Sequence, residues 1–473
     1  MANLPKSGLS GSGYLSQRTI AALASGHGGA IALIRASGPE SGQILQELTG
    51  RASSFVPRHM TRCPLFGGGG ERLDDALVCF YPTQESFTGE ESFELFLHGG
   101  EIVIQKVLDC LRQLGAGKAL PGEFSFRAVR NGKMTVVQAQ AVSDLITAQS
   151  DRAHELAIEK LVGGQRERVL KLAEALRRLM TMGELGIDFS DQDVAELSLV
   201  RLKKDAAVLR EDLARLEATF ERGRRIQQGV SVAILGLPNA GKSSLFNALL
   251  GEDRSIVTPV AGTTRDVVRE TLTVKGAEGS VLLRLSDTAG LRSTQDEIES
   301  LGIDRSLNAA QQSDVVIWVI DPQTQDEGLR VLREWASLSR QSTAQKLHVV
   351  VVTKGDLVSD GQIPVLIQDW AKQIGAVACC LVSARDFTGI EELSALLAGA
   401  CSGWMGRKPG EWILTSEIQR EAVGAAVQDL DRALSAPEYE FFAADIRQAA
   451  QSLAPLIGQT PTDEILGRIF SQF

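Results

Sequence analysis

The sequence predicts a multidomain protein with an N-terminal α+β domain and a helical domain that carries an inserted α/β domain. The 473 residues exceed one ordinary core, so about two to four domains are expected. Five apolar strand candidates alternate with helical stretches from residue 230 to about residue 397, which is typical of a parallel sheet flanked by helices. Long amphipathic helical patterns lie before and after that segment, which favours an insertion into one helical domain.

The domain boundaries follow from changes in pattern along the chain. We place the N-terminal domain at residues 1–131, because apolar runs such as AIALIR, ALVCFY and FELFL alternate there with helical stretches. We place the helical-bundle domain at residues 132–226 and 401–473, and the α/β domain at residues 227–400. The five strand candidates of the α/β domain are VSVAIL, VLLRLSD, VVIWVID, HVVVVTK and ACCLVSA.

Composition narrows the class of protein. Apolar residues make up 44% of the chain and charged residues 23%, which is typical of soluble globular proteins. No apolar run reaches the roughly 18–20 residues that cross a bilayer, so we expect no membrane association. The six cysteines lack metal-ligand spacing, which favours reduced thiols and a cytoplasmic location. The net charge of −10 argues against broad non-specific binding to nucleic acid, although a local basic patch could hold an RNA.

A phosphate-binding motif follows the first of the five strand candidates. The segment GLPNAGKS (236–243) has the G-x-x-x-x-G-K-S pattern and lies between a strand and a helical stretch. Its glycines let backbone N–H groups turn toward phosphate oxygens, and the helix N-terminus adds favourable partial charge. Lys242 is expected to reach the β- and γ-phosphates, and Ser243 to ligate Mg²⁺. The alternative is an ordinary turn.

Two further motifs follow in the order that a Ras-like GTPase requires. The segment GTTRD (262–266) supplies a loop in which Thr264 could complete the Mg²⁺ shell. The segment DTAG (287–290) supplies Asp287, which would hold Mg²⁺ through water, and Gly290, whose amide would sense the γ-phosphate. This order along the chain makes a chance match improbable and favours a nucleotide site.

Two loops that follow the last two strand candidates select the base. In TKGD (353–356), Asp356 can accept two hydrogen bonds from guanine, and the stem of Lys354 can lie on the base. The segment SAR (383–385) offers a backbone amide to guanine O6. Adenine lacks the matching donors, so the five segments together predict a P-loop (Ras-like) GTPase domain that binds GTP and GDP. The predicted nucleotide-binding residues are Asn239, Ala240, Gly241, Lys242, Ser243, Ser244, Thr258, Pro259, Val260, Ala261, Gly262, Thr263, Thr264, Asp287, Thr288, Ala289, Gly290, Thr353, Lys354, Asp356, Ser383, Ala384 and Arg385.

Two positions bear on hydrolysis. Leu291 follows the DTAG segment, where Ras-like enzymes place a glutamine that orients water, and leucine cannot do so. Asn239 lies inside the phosphate loop, where its amide oxygen could ligate a cation and take over the charge role of an arginine finger. The alternative is that Asn239 only caps the loop.

Nine segments together resemble the MnmE (TrmE) family of tRNA-modification GTPases over nearly the whole chain. They are GGAIALIRASG (28–38), SFTGEESFEL (86–95), HGG (98–100), PGEFSFRAVRNGK (121–133), AQAVSDLI (139–146), GLPNAGKSSLFNAL (236–249), TPVAGTTRDVVRE (258–270), DTAGLR (287–292) and TDEILGRIFSQF (462–473). The resemblance implies a folate-binding-like N-terminal domain that mediates homodimerisation and binds 5-formyl-tetrahydrofolate or a related reduced folate. It also implies a potassium-activated GTPase that forms a heterotetramer with the FAD-dependent partner MnmG (GidA). Together they would modify carbon 5 of wobble uridine 34 in certain tRNAs, by aminomethyl or carboxymethylaminomethyl addition.

The resemblance also implies roles for individual residues. Those expected around K⁺ are Asn239, Thr258, Val260 and Thr263, those expected to hold Mg²⁺ are Ser243 and Thr264, and those expected at the folate are Arg35, Glu94 and Lys133. Glu299 would orient the attacking water, and with Lys242 and Thr264 it completes the implied catalytic set. The alternatives are a solvated loop position for Glu299, exposed charges for Arg35 and Lys133, and an ordinary ion pair for Glu94.

Two of the departures from the family pattern bear on the nucleotide and folate sites. Thr353 stands where asparagine is usual, so we expect guanine specificity with weaker binding. Family members usually continue after RIFSxF with Cys-x-Gly-Lys, whereas the sequence here ends at Phe473, so we predict no contact of such a segment with folate. The main alternative function is a GTP-dependent RNA-binding or ribosome-assembly switch without modification activity. The SFTGEESFEL and PGEFSFRAVRNGK segments favour the enzyme, because such switches lack the folate-like domain.

Overall fold

The computed structural model describes residues 17–26, 28–162, 166–188, 198–252, 269–276, 279–286, 309–339, 346–358, 362–406 and 411–457. Their contacts divide the chain into two units. The first contains the described parts of Met1–Ser143, Lys160–Arg210 and Glu421–Phe473, and the second those of Asp144–Glu159 and Glu211–Arg420. Among the described helices, none combines the length and the apolar content needed to cross a membrane.

The N-terminal segment forms a six-stranded mixed sheet with helices packed on it. Its strands are β1 (Ile20–Leu23), β2 (Ile31–Ser37), β3 (Thr61–Phe66), β4 (Arg72–Tyr81), β5 (Ser92–His98) and β6 (Gly117–Lys118). Their order is β3-β4-β5-β2-β1-β6, and only the β1–β6 pair is parallel. The helices are α1 (Ser41–Thr49), α2 (Glu101–Gln113) and α3 (Glu123–Arg130). Strands β2 and β5 alternate buried and partly exposed residues, as one face packs on a core that α1 and α2 complete.

The segments on either side of the second sheet are helical, as predicted. The helices before it are α4 (Val136–Thr147), α5 (Asp151–Leu161), α6 (Arg166–Asp188), α7 (Leu199–Glu217) and α8 (Phe220–Gln228). Within the first unit, α6 packs on a helix from the C-terminal segment, because Gly183 and Gly186 leave room for Ala443 and Tyr439. The backbone N–H of Leu199 also donates to the Tyr439 hydroxyl at 3.0 Å.

The second sheet has the alternating α/β pattern that the sequence predicts. Its strands are β7 (Val230–Gly236), β8 (Arg269–Gly276), β9 (Gly279–Ser286), β10 (Val315–Ile320), β11 (Leu347–Val352) and β12 (Ala378–Leu381). Their order is β12-β11-β10-β7-β9-β8, parallel except for β8 against β9. The five predicted strands are confirmed. Strand β8 was missed, because RETLTVKG alternates apolar and polar residues and contains no continuous apolar run.

Helices cover both faces of this sheet, which explains the apolar runs in its central strands. These helices are α9 (Lys242–Glu252), α10 (Gln325–Ser339), α11 (Val365–Gln373) and α12 (Ile390–Met405). The helices of the C-terminal segment are α13 (Glu417–Ser435), α14 (Tyr439–Ser452) and α15 (Ala454–Ile457). In β10, Val315, Ile317 and Val319 join one core, and Val316, Trp318 and Ile320 join the other. Parallel strands buried on both faces leave their carboxyl ends as the edge where side chains can meet a ligand.

Candidate functional site

The phosphate-loop motif lies at the carboxyl edge of the second sheet. Strand β7 ends at Gly236 and helix α9 begins at Lys242. Between them Asn239 has φ 60° and Gly241 has φ 89°, so two residues of the loop have left-handed conformations. Such alternation turns successive backbone N–H groups toward one point and creates an anion-binding concavity. A Cβ at Gly241 would lie 3.2 Å from the Thr353 hydroxyl, so glycine also permits the close approach of the next loop.

The Lys242 ammonium is held at the phosphate loop. Its Nζ donates to the carbonyl oxygens of Gly236 at 2.9 Å and Leu237 at 2.7 Å. Burial lowers the pKa of Lys242, because removal from water disfavours the charged form. An anion at the loop would favour that charged form again, which fits the chemistry of a phosphate. Ser243, in the first turn of α9, is half-buried and carries the hydroxyl expected to meet a divalent cation.

The loop after β11 contacts the phosphate loop directly. The Thr353 hydroxyl donates to the Ala240 carbonyl oxygen at 2.6 Å, and the Thr353 N–H donates to the Ile320 carbonyl oxygen at 3.0 Å. The next residue, Lys354, has a left-handed backbone with φ 53° and ψ 42°. Its ammonium lies 2.6 Å from the carboxylate of Asp321, a residue that sequence reasoning missed. Asp321 follows directly after a buried strand at the same sheet edge, which is the signal that could have identified it.

The loop after β12 completes the candidate guanine site. The Ser383 hydroxyl donates to Asp356 Oδ1 at 3.0 Å and accepts the Asp386 N–H at 3.3 Å. The Arg385 guanidinium lies 4.0 Å from Asp356 Oδ2 and is mostly exposed. The Gly355 N–H donates to the Val382 carbonyl oxygen, which links the two loops through their backbones. The structure therefore brings residues 239–244, 353–356 and 383–385 together at one edge.

The other predicted nucleotide and metal residues lie outside the described part of the chain. They are Thr258, Pro259, Val260, Ala261, Gly262, Thr263, Thr264, Asp287, Thr288, Ala289, Gly290 and Glu299. Of the predicted Mg²⁺ ligands only Ser243 is described, and of the predicted K⁺ ligands only Asn239. These assignments stay predictions.

A second candidate site lies on the N-terminal sheet. Arg35 and Glu94 face each other across β2 and β5, and the Arg35 guanidinium donates to Glu94 Oε1 from two nitrogens, at 2.9 and 2.7 Å. The Arg35 guanidinium also lies over the rings of Phe87 and Phe124, 5.2 and 5.8 Å from their centroids. The structure thus places the guanidinium of the Arg35–Glu94 pair beside two aromatic rings.

The surroundings of Glu94 include a tyrosine that the sequence did not point to. The Tyr81 hydroxyl donates to Glu94 Oε2 at 3.1 Å. Burial, a hydrogen bond with Cys79 and the Glu94 carboxylate raise the pKa of Tyr81, so its hydroxyl stays protonated. Because Cys79 is paired with Glu94 across β4 and β5, Tyr81 is two residues from that pair, on the same face of the sheet. That register is not visible in the sequence.

Lys133 is held elsewhere along the same segment. Its Nζ donates to the carbonyl oxygen of Gln84 at 2.6 Å, in the short turn before Phe87. The structure therefore joins Arg35 with Glu94 directly and links Lys133 to the backbone of the segment that supplies Phe87. No described contact joins Lys133 to either of the other two predicted folate residues.

Comparison with known proteins places both parts of the chain in one family. The family model for the MnmE helical domain matches residues 136–473, and the model for the GTP-binding protein TrmE N-terminus matches residues 19–133. A tRNA modification GTPase MnmE of Bacteroides fragilis is 34% identical over 469 residues, which cover 97% of this chain and 99% of that protein. Proteins of the same name from Azoarcus and Aquifex aeolicus are 37% identical over 456 residues and 33% identical over 462 residues, each covering 96% of this chain. The alignments cover 97% of the Azoarcus protein and 98% of the Aquifex aeolicus protein.

Proposed function

The chain belongs to the MnmE family of tRNA modification GTPases, and on that premise we propose that it hydrolyses GTP in the course of tRNA modification. The observation that carries the proposal is the convergence of three loops at one sheet edge, where Thr353 contacts Ala240 and Ser383 contacts Asp356. This arrangement would hold a phosphate cradle and a base-selecting carboxylate at one sheet edge. A nucleotide with both a guanine and a polyphosphate fits that combination.

We propose that the GTPase domain, at residues 227–400, is inserted between helical segments 132–226 and 401–473. In it, the Lys242 ammonium would neutralise charge on the β- and γ-phosphates, and the backbone N–H groups of the loop would orient them. Mg²⁺ would be held by Ser243 and Thr264 and would supply charge neutralisation between the phosphates. Glu299 is proposed to orient the attacking water, since Leu291 cannot.

We propose that potassium activates this hydrolysis. The support is the position of Asn239 in the phosphate loop, beside which Thr258, Val260 and Thr263 would complete a monovalent cation site. Hydrolysis in KCl should exceed that in NaCl at equal ionic strength by about tenfold or more, below the scale of an arginine finger. Equal rates in the two salts would contradict the proposal.

The Asn239 backbone decides which variant tests this site. At φ 60° an alanine would add a left-handed strain of about 1–2 kcal/mol, so Asn239→Ala would confound lost ligation with a distorted loop. Asn239→Gly removes the amide oxygen and tolerates that conformation. We expect the glycine variant to bind GDP nearly as well as the unsubstituted chain and to lose its preference for KCl. A glycine variant that keeps the full potassium effect would exclude Asn239 as a ligand.

We further propose that the N-terminal domain, at residues 1–131, forms a homodimer and binds 5-formyl-tetrahydrofolate or a related reduced folate. A pterin edge presents N–H donors that a carboxylate such as Glu94 can accept, and the anionic tail requires cations such as Arg35 or Lys133. The Tyr81 and Arg35 contacts support this role, because they fix the Glu94 carboxylate from both oxygens. With MnmG and bound folate, the protein would modify carbon 5 of wobble uridine 34 in certain tRNAs in the cytoplasm.

Calorimetry tests the folate proposal separately from the GTPase proposal. The unsubstituted chain should bind 5-formyl-tetrahydrofolate, and Glu94→Gln should weaken binding by about tenfold or more, because one charged acceptor is lost. Glu101→Gln, which alters an exposed carboxylate at the start of α2, is the matched control and should bind normally. The absence of binding by the unsubstituted chain at high micromolar folate would refute this proposal.

A further inference from the structure

Asp321 occupies a particular place at the nucleotide edge of the second sheet. It follows Ile320, the last residue of the central strand β10, and lies between the loops of β7 and β11. The residue is buried, and both of its carboxylate oxygens are engaged. Oδ1 accepts the backbone N–H of Gln323 at 2.9 Å, and Oδ2 accepts the ammonium of Lys354 at 2.6 Å. No motif considered above includes this carboxylate.

The end of β10 contacts Thr353 and Lys354, the first two residues of the guanine motif TKGD. The Ile320 carbonyl oxygen accepts the Thr353 N–H at 3.0 Å, and the adjacent Asp321 carboxylate holds Lys354. Lys354 has a left-handed backbone that a non-glycine residue adopts only when its surroundings enforce it. The ion pair is one such constraint, since a buried carboxylate has a strong requirement for a cation.

The ion pair also fixes a side chain that is otherwise flexible. A free lysine side chain samples many rotamers and loses that conformational freedom when a ligand packs against its aliphatic carbons. Because Asp321 anchors the ammonium beforehand, most of that entropic loss is already incurred in the folded protein. The four-carbon stem of Lys354, whose side chain is partly exposed, is then restricted in its position.

We propose that Asp321 is a positioning residue of the nucleotide site, which anchors the Lys354 ammonium so that its stem forms a ready wall for the guanine base. This inference rests on the proposed function, because it assumes that guanine nucleotides bind at these loops. Asp321 does not touch the nucleotide and acts through Lys354. Its loss therefore weakens GDP and GTP binding without changing the preference for guanine, which depends on Asp356.

Binding of fluorescent GDP to the full chain tests the assignment. Asp321→Asn keeps an oxygen for the Gln323 N–H and removes the charge that holds Lys354. We expect it to raise the Kd for GDP by about 3- to 10-fold, mainly through faster dissociation. Asp326→Asn, five residues further on and exposed, is the matched control and should bind GDP normally. The ratio of GDP to ADP affinity should stay unchanged in both variants.

A double-mutant cycle with Lys354→Met separates positioning from a merely structural role. If Asp321 acts through Lys354, the double variant should bind GDP no more weakly than Lys354→Met alone. Additive losses, or a Kd unchanged in Asp321→Asn, would overturn this inference alone. The single variant Lys354→Met provides a second test that does not require Asp321→Asn to fold, and normal GDP binding by Lys354→Met would also overturn it. If the unsubstituted chain bound no GDP, the proposed function would fail and this inference with it.

Discussion

The hydroxyl of Thr353 donates a hydrogen bond to the backbone carbonyl oxygen of Ala240 across 2.6 Å, inside the protein. One residue begins the predicted guanine motif and the other lies in the phosphate loop, so this bond joins the two loops directly. Threonine at position 353, which departs from the pattern expected of the family, therefore supplies a direct link between the two loops.

Replacing Thr353 should test that link. Thr353→Val keeps the shape and removes the donor, so the buried Ala240 carbonyl loses its partner. We expect GDP affinity to fall by about 2- to 10-fold, which corresponds to about 0.5–1.5 kcal/mol for one hydrogen bond. Thr353→Ser keeps the hydroxyl and should bind nearly as tightly as the unsubstituted chain. Equal affinities for the valine and serine variants would show that the bond does not matter for binding.

Asp356→Asn should reduce discrimination between guanine and adenine nucleotides. The carboxylate offers acceptor capacity on both oxygens, whereas an amide replaces one oxygen with an NH₂ group that cannot accept from guanine. We expect GDP affinity to fall by about 10- to 100-fold, since the lost hydrogen bonds involve a charged group. Titrations with GDP, ADP and xanthosine diphosphate measure the affinity for each nucleotide. Asp369→Asn, on the exposed surface of α11, is the control. Unchanged discrimination would refute the role of Asp356.

Most strands of the second sheet could be predicted because they are continuous runs of apolar residues. Long Val/Ile runs such as β10 and β11 are unmistakable when helices bury both faces of a sheet. Strand β8 could not be predicted in the same way, because it has one buried face and, within the described residues, pairs with β9 alone. Its half-exposed alternation resembles that of a polar loop when no partner strand is known.

The site residues fall into two groups, those in motifs with fixed spacing and those whose roles depend on tertiary contacts. The loop motifs could be predicted from spacing, because glycines, Lys242 and Asp356 have fixed offsets along the chain. Tyr81 could not, since its role arises from strand register. The position of Asp321 after a buried strand was a signal, but its contact with Lys354 joins loops far apart in sequence. Burial of Asp321 and the pairing of β4 with β5 exist only in three dimensions.

The acid stability of the second unit should depend on Asp314. This buried carboxylate accepts hydrogen bonds from the Ser231 N–H and hydroxyl and from Arg224 and Arg225 of α8. Burial raises the pKa of Asp314. The Ser231 hydrogen bonds and the two guanidinium groups lower that pKa by more than burial raises it, so the pKa lies below its ordinary value. A depressed pKa stabilises the folded state above the unfolded pKa of about 3.9, and that stabilisation is lost as pH falls through the folded pKa.

Urea unfolding between about pH 7 and pH 3 measures this dependence. The free energy of unfolding of the unsubstituted chain should fall below about pH 5, and Asp314→Asn should show a shallower fall. At pH 7 the variant should be less stable by about 1–3 kcal/mol, because buried donors lose a charged acceptor. Asp326→Asn is the exposed control. Parallel pH profiles for Asp314→Asn and the unsubstituted chain would contradict the assignment.

Gly223 should be intolerant of a side chain because α8 packs closely on the segment before α13. A Cβ there would lie 1.8 Å from the Leu414 carbonyl oxygen and 2.8 Å from Ile413 Cγ2. Gly223→Ala should lower the free energy of unfolding by about 1–3 kcal/mol through overpacking. Gly399→Ala, on an exposed position of α12 with no atom within 4 Å, should be neutral or stabilising by about 0.5–1 kcal/mol. Thermal unfolding of the two variants in parallel checks both, and equal midpoints would contradict the packing.

The central claim is that GTP hydrolysis at this site serves tRNA modification, and mass spectrometry of tRNA nucleosides tests it most directly. The measurement compares a strain that lacks the chromosomal gene with the same strain expressing the unsubstituted chain or Lys242→Ala. We predict that the unsubstituted chain restores aminomethyl or carboxymethylaminomethyl groups at wobble uridines, whereas Lys242→Ala, which cannot neutralise the phosphates, does not. Identical nucleosides in all three strains, or full restoration by Lys242→Ala, would contradict the claim.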